Sequence, residues 1–215
     1  MDNKNSISRQ IARDIPLPIA ERKDIPAIAA MFTAAFSEDV LTRYLLSAAR
    51  EPETVIYDNF RLLLERVKNG VLFKTSTECE GAALWYLDEN PRGHFSANLR
   101  VLAYKLRQFP LKDIGVLLPF FLRMEKAHHR IIKRPHFYLE LLGVHPDHQG
   151  RGFSSRLLRP VLARADDMGR SCYLETESAE NIAIYEHFGF KVVKRLPANF
   201  SEDVFSLMLR RPVKG

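Results

Sequence analysis

Cysteine is scarce: Cys79 and Cys172 stand far apart, with no CxxC pair or ligand cluster around either. That scarcity excludes a disulfide framework and a zinc ribbon and fits reduced, intracellular thiols. Long apolar runs are missing as well. Even Ile114–Leu122 falls short of the ~20 residues a membrane helix needs, and it contains Pro119. Residues 1–15, MDNKNSISRQIARDI, carry Asp2 and Asp14 and lack an apolar h-region, which excludes a secretory signal and reads as a disordered lead-in. No membrane partner and a cytoplasmic location are therefore expected. Neither sign of charge dominates. With 32 basic and 26 acidic residues interspersed, the formal charge of +6 fits attraction to anionic ligands or ordinary solubility, and argues against a nucleic-acid surface. Low-complexity tracts and internal repeats are absent too, and 46% hydrophobic content supports one substantial core, so 16–215 reads as a single domain.

What is present is a mixed α/β pattern. Pro16–Ile19 reads as a short strand, and a helix opens at Asp24 with Ile25, Ile28, Met31, Phe32 and Phe36 at helical spacing. Glu53–Lys68 reads as a second helix stopped by Asn69-Gly70. Val71–Thr75 and Gly81–Leu87 form a hairpin around the polar turn 76–80. Ser96–Gln108 and Leu111–His128 read as helices, the second kinked or divided by Pro119. The remainder alternates: strand Phe137–Val144, helix Phe153–Met168, strand Cys172–Thr176, helix Asn181–Phe188, strands Phe190–Lys194 and Val204–Leu209.

Between Tyr138 and Met168 a strand delivers a two-glycine turn to the first turn of a helix. In Gln149-Gly150-Arg151-Gly152-Phe153-Ser154 the glycines let the backbone approach a bulky anion, and the helix start adds N–H donors and the positive end of its dipole. A pyrophosphate suits such a turn, although glycines before helices also serve purely steric needs. The third glycine of a dinucleotide fingerprint and the GK[ST] ending of a Walker loop are absent.

Two motifs at compatible spacing, HPDHQGRGFSSRLL and LETESAENIAIYEHFGF, resemble those of the GNAT superfamily of N-acetyltransferases. The form GV-x-P-x-x-Q-G-x-G, followed by LET and N-x-x-x-Y-E-x-x-G-F, is most similar to the branch that includes puromycin N-acetyltransferases. The likeness is close over Tyr138–Arg210 and only general in the N-terminal third. It implies a GNAT fold, a central twisted mixed β-sheet flanked by helices, acetyl-CoA as co-substrate, no metal, and a primary amine as acceptor, a small molecule before a protein. Ser154 stands where the family has its last small residue, glycine or alanine.

Carried over by position, the resemblance places the CoA pyrophosphate on the backbone of Gly150, Arg151, Gly152, Phe153, Ser154 and Ser155 after Gln149. Leu142, Gly143 and Val144, on a splayed strand, would pair with the pantetheine arm like an added strand, and Asn181 would cap its helix beside that arm. Arg151 and Arg156 serve either the phosphates or the solvent. Tyr185 takes the position of the acid that protonates the departing thiolate. The amine needs a base. Glu140 is the first candidate, on the strand leading to the loop, with Glu175 and Glu177 as bases, substrate anchors or an exposed edge. A backbone amide near Val144 would hold the oxyanion. Neither cysteine lies in the motifs, so direct attack in a ternary complex is expected. The alternative is a catalytically silent CoA-binding or interaction protein of the same fold.

His128, His129, His136, His145 and His148 match no zinc spacing. The basic run Arg123–Arg134 reads as a solvated face, a contact to the 3′-phosphate of CoA, or a partner surface. Residues 95–130 read as a variable helical lid or as core.

Overall fold

The computed structural model describes residues 3–65, 67, 69–89 and 107–213. Six strands make one sheet: β1 Val71–Lys74, β2 Gly81–Glu89, β3 His136–Val144, β4 Cys172–Thr176, β5 Lys191–Pro197 and β6 Val204–Arg210, ordered β1-β2-β3-β4-β6-β5. Only β3 and β4 run parallel; the other neighbours are antiparallel. Around the sheet lie α1 Asn3–Arg13, α2 Ile25–Ala35, α3 Val40–Ala48, α4 Pro52–Leu64, α5 Leu111–Ile131, α6 Phe153–Asp167 and α7 Ala179–His187. The mixed sheet flanked by helices is the expected fold class.

Period-2 alternation sorts the strand side chains onto two faces. Phe73, Trp85, Phe137, Leu139 and Leu174 bury against α1, α6 and α7, through Ile11, Leu157, Val161 and Tyr185. On the other face Leu72, Leu84 and Leu141 meet α2–α4 through Ile28, Phe32, Val55 and Phe60, while Tyr173, Phe205 and Leu207 meet α5 through Phe120 and Met124. Trp85 and Tyr86 fall on opposite faces, as neighbouring strand residues should.

Several expectations are corrected. Within 1–15, the described part is helix α1 and not a disordered lead-in: Ile11, Ala12 and Ile15 are 5%, 1% and 4% exposed in the core against β1 and β2. Their spacing of one, three and four is a short helical stripe whose burial outweighs the polar character of the segment. Pro16–Ile19 does not form a strand. It makes one bridge, Ile19 to Phe73, because Pro16 and Pro18 have no N–H to donate to a ladder. Helix α3 was not anticipated, although Asp39 accepts a hydrogen bond from the Thr42 amide at 3.0 Å and so caps it. Helix α5 runs unbroken through Pro119. Residues 95–106, most of the first helix expected there and the start of the expected lid, lie outside the described residues. Among the described residues no single helix is long and apolar enough to cross a membrane.

The parallel pairing sets up everything that follows. It extends only over Phe137–Leu139 against Cys172–Leu174, after which β3 continues with β2 alone and β4 with β6 alone. The cause lies in the β2–β3 register: Trp85 pairs with Leu139 but Leu84 with Leu141, so Glu140 is an extra residue, a β-bulge. A bulge bends its strand and increases its twist. The bend falls one residue after the last β3–β4 pair. It also reverses the alternation, putting Leu141 on the α2–α4 face and Leu142 on the α6 face.

Candidate active site

Where β3 and β4 part, a cleft of about 1740 Å³ opens, lined along β3 from Tyr138 to Val144, along β4 and its extension from Leu174 to Asn181, and by Gln149, Gly150, Gly152, Phe153 and Ser154. Carboxyl ends of parallel strands that diverge are the usual place for a ligand in such sheets.

The loop beyond β3 is built for backbone exposure. His145–Gln149 fold into one tight turn, and Gln149 Nε2 donates to the Val144 carbonyl at 3.3 Å, tying the loop back to its strand. Gly150 and Gly152 stand at φ +74° and +78°, a region L side chains rarely adopt, and a Cβ at either would meet nothing within 4 Å. Gly152 precedes α6, whose first bond joins the Arg156 amide to the Gly152 carbonyl at 3.1 Å. The amides of Phe153, Ser154 and Ser155 therefore precede the ladder, at the positive end of the helix dipole. This geometry fits a bulky anion. Arg151 reaches His148 at 3.5 Å and Arg156 lies over the Phe153 ring at 5.4 Å, so both exposed guanidiniums flank the turn. Gly143 has a different use: a Cβ there would come within 2.7 Å of the Phe32 ring, so its small size lets α2 approach β3. We expect Gly152→Ala to weaken CoA binding by about tenfold or more by calorimetry, while backbone strain of about 1–2 kcal/mol lowers the melting temperature by only a few degrees. Unchanged affinity would remove the loop from the cofactor site.

Asn181 does not cap α7. Ser178 does, its hydroxyl accepting from the Asn181 amide at 3.2 Å, because the helix begins two residues earlier than expected, at Ala179. Asn181 lies in the first turn and lines the cleft. Tyr185, one to two turns on, is 9% exposed, packs edge-on to Phe190 at 5.9 Å and also lines the cleft. Burial, then the charge of Glu177, raises its phenol above the ordinary value, so it remains a proton donor. Gly189 at φ +86° ends the helix.

The carboxyls at the split come from a repeated tripeptide. Tyr138-Leu139-Glu140 ends the paired part of β3, Tyr173-Leu174-Glu175 that of β4, and Tyr138 faces Tyr173 in register. Glu140 and Glu175 follow on the two diverging arms. Burial pushes Glu175 up to about 7, opposed by the neighbouring phenols of Tyr173 and Tyr138 and aided by the charge of Glu140. Behind the tyrosines, His128 stacks on the Tyr173 ring at 3.9 Å and meets His136, Nε2 to Nε2, at 2.7 Å. Glu177 is pushed up to about 8 by burial and by hydrogen bonding to, and the charge of, Asp39 at the start of α3. Both cysteines are buried, and burial raises both thiols, Cys172 to about 12. Among the described residues no group of three or more histidine, cysteine or acidic side chains is arranged to hold a metal ion. Tyr138, Tyr173 and Asp39 were not singled out from the sequence. The repeated YLE was the available signal for the tyrosines, and the cap position of Asp39 for the third.

A mixed sheet that splits beside a glycine turn at a helix start defines a class of fold with a bulky-anion site between diverging strands. The sequence model of the acetyltransferase (GNAT) family matches residues 73–190, and the chain belongs to that family. It is an N-acetyltransferase that uses acetyl-CoA. An uncharacterized N-acetyltransferase of Schizosaccharomyces pombe is 29% identical over 179 residues, covering 79% of this chain and 72% of the relative. Among solved structures, a histone acetyltransferase HPA2-related protein of Corynebacterium glutamicum superposes with a TM-score of 0.60 at 22% identity, over 94% of this chain and 98% of the other. The protein yncA of Salmonella typhimurium, solved with acetyl-CoA, gives a TM-score of 0.53 at 16% identity, over 94% and 96%. These two likenesses bear on the fold.

Proposed function

We propose that the protein transfers the acetyl group to a small primary amine by direct attack within a ternary complex, in the manner of the puromycin N-acetyltransferase branch. The reading is carried by one observation: two carboxyls on diverging strands and the Tyr185 phenol line the same cleft as the glycine turn. Glu175 takes a proton from the substrate ammonium, and the nitrogen lone pair attacks the thioester carbonyl carbon. The C–S bond then breaks, the thiolate takes the Tyr185 proton, and the nitrogen sheds its second proton to solvent. The acetamide and CoA leave, and the proton held by Glu175 returns Tyr185 to the phenol. Glu140, the first base expected, instead acts on Glu175 through its charge. Direct transfer is supported by the cysteines: neither lines the cleft and both thiols are held neutral.

Thiol release followed across a panel of amines tests this. Intersecting initial-velocity lines are expected for the ternary complex. Parallel lines would indicate a covalent acetyl-enzyme. CoA binding by calorimetry without transfer to any amine would leave a silent CoA-binding protein.

A further inference from the structure

The cleft has a charge opposite to that of the chain. The protein carries a formal +6 with 32 lysines and arginines, yet eight acidic side chains line the cleft, and among its described lining residues there is no lysine or arginine. One carboxyl suffices to accept a proton, so the others require a different reason. Five of the eight fall into two groups. Glu140 and Glu175 stand at the split of the sheet. Glu177, Asp39 and Asp203 meet further out, from the extension of β4, the start of α3 and the turn before β6, and the charges of Asp39 and Asp203 both bear on Glu177. Strand alternation puts Glu175 and Glu177 on one side, two residues or about 7 Å apart. Phe36, Phe60, Leu117 and Phe121 supply an apolar wall to the same cleft.

Carboxyls gathered in a partly desolvated cleft repel one another, and a cation among them relieves that repulsion. We propose that the acceptor is an aliphatic amine with a second cationic nitrogen, held by Glu177 and Asp39 while the reacting nitrogen lies at Glu175. This rests on the reading of the cleft as the acetyl-transfer site. Glu177 and Asp39 then act as specificity determinants: they recognise the distal ammonium, and the apolar wall takes the methylenes between the two nitrogens.

The test compares aliphatic α,ω-diamines with monoamines of equal chain length, at saturating acetyl-CoA, by thiol release. The diamine is expected to be favoured in kcat/KM by on the order of tenfold to a hundredfold, the worth of one charge-assisted contact in such a cleft. In Glu177→Gln and in Asp39→Asn, which retains a capping side chain for α3, the ratio of diamine to monoamine is expected to fall toward parity. Because the readout is a ratio, a general loss of folded enzyme cancels. Equal use of both amines by the unaltered protein would overturn the proposal and leave the acetyl-transfer reading intact. Diamine binding without transfer, detected by calorimetry with CoA present and lost in Glu177→Gln, would uphold the second-cation site and sink the transfer reading. Neither binding nor transfer would overturn both.

Discussion

Replacing Glu175 by glutamine is expected to lower kcat/KM by ~100- to 10,000-fold, the range over which a positioned general base acts. The pH profile carries the assignment more sharply than the magnitude. Burial raises the Glu175 carboxyl to about 7, and only its deprotonated form accepts a proton. Activity should therefore be low below pH 7 and climb through it, and the glutamine variant should lose that limb. Glu140→Gln provides the internal contrast. Removing the Glu140 charge takes away one cause of the upward shift, so the limb should move to lower pH and persist. If the limb instead survives unmoved in Glu175→Gln and disappears in Glu140→Gln, the two carboxyls exchange roles.

Tyr185→Phe is expected to reduce kcat by about 100-fold or more while leaving the limb at pH 7 in place, because that limb belongs to Glu175. A phenol raised above its ordinary value is a poor acid for a thiolate in water. The thiolate is expelled into the same cleft, however, and desolvation raises its basicity as well. Phenylalanine keeps the ring packed on Phe190, so folding should be preserved and the loss should appear in kcat rather than in CoA affinity. Equal kcat for the variant and the parent would remove Tyr185 from the chemistry.

The glycine turn and the helix that carries Tyr185 were legible because both depend on local patterns. Gly150 and Gly152 mark positions where only a residue without a side chain sits comfortably at positive φ, and Tyr185 follows its cap at a fixed helical offset. Strands β2, β3 and β4 were legible from apolar alternation for the same reason. The splay of β3 came only from the family resemblance, and no local pattern marked where it begins. It follows from the Glu140 bulge, which carries no glycine or proline to mark it and exists only relative to β2. Helix α1 was missed because three small or branched apolar residues in a polar segment are a weak stripe until β1 and β2 are in place to receive them. The placement of Asp39 beside Glu177 was hidden as well, since it joins segments more than a hundred residues apart.

The bulge also separates what this sequence can tolerate from what it cannot. Apart from Gly143, whose lack of a side chain admits α2, the residues along the outer arm of β3 can vary, each changing what the cleft prefers while the cleft itself persists. Chain length there cannot. Removing one residue between Leu139 and Leu141 would restore period-2 pairing with β2, exchange the faces of Leu141 and Leu142, and let β3 run on beside β4. The cleft is written in a residue count more than in residue identities. A family built this way can diverge far in sequence and keep its opening, but a single-codon deletion at that point would close it.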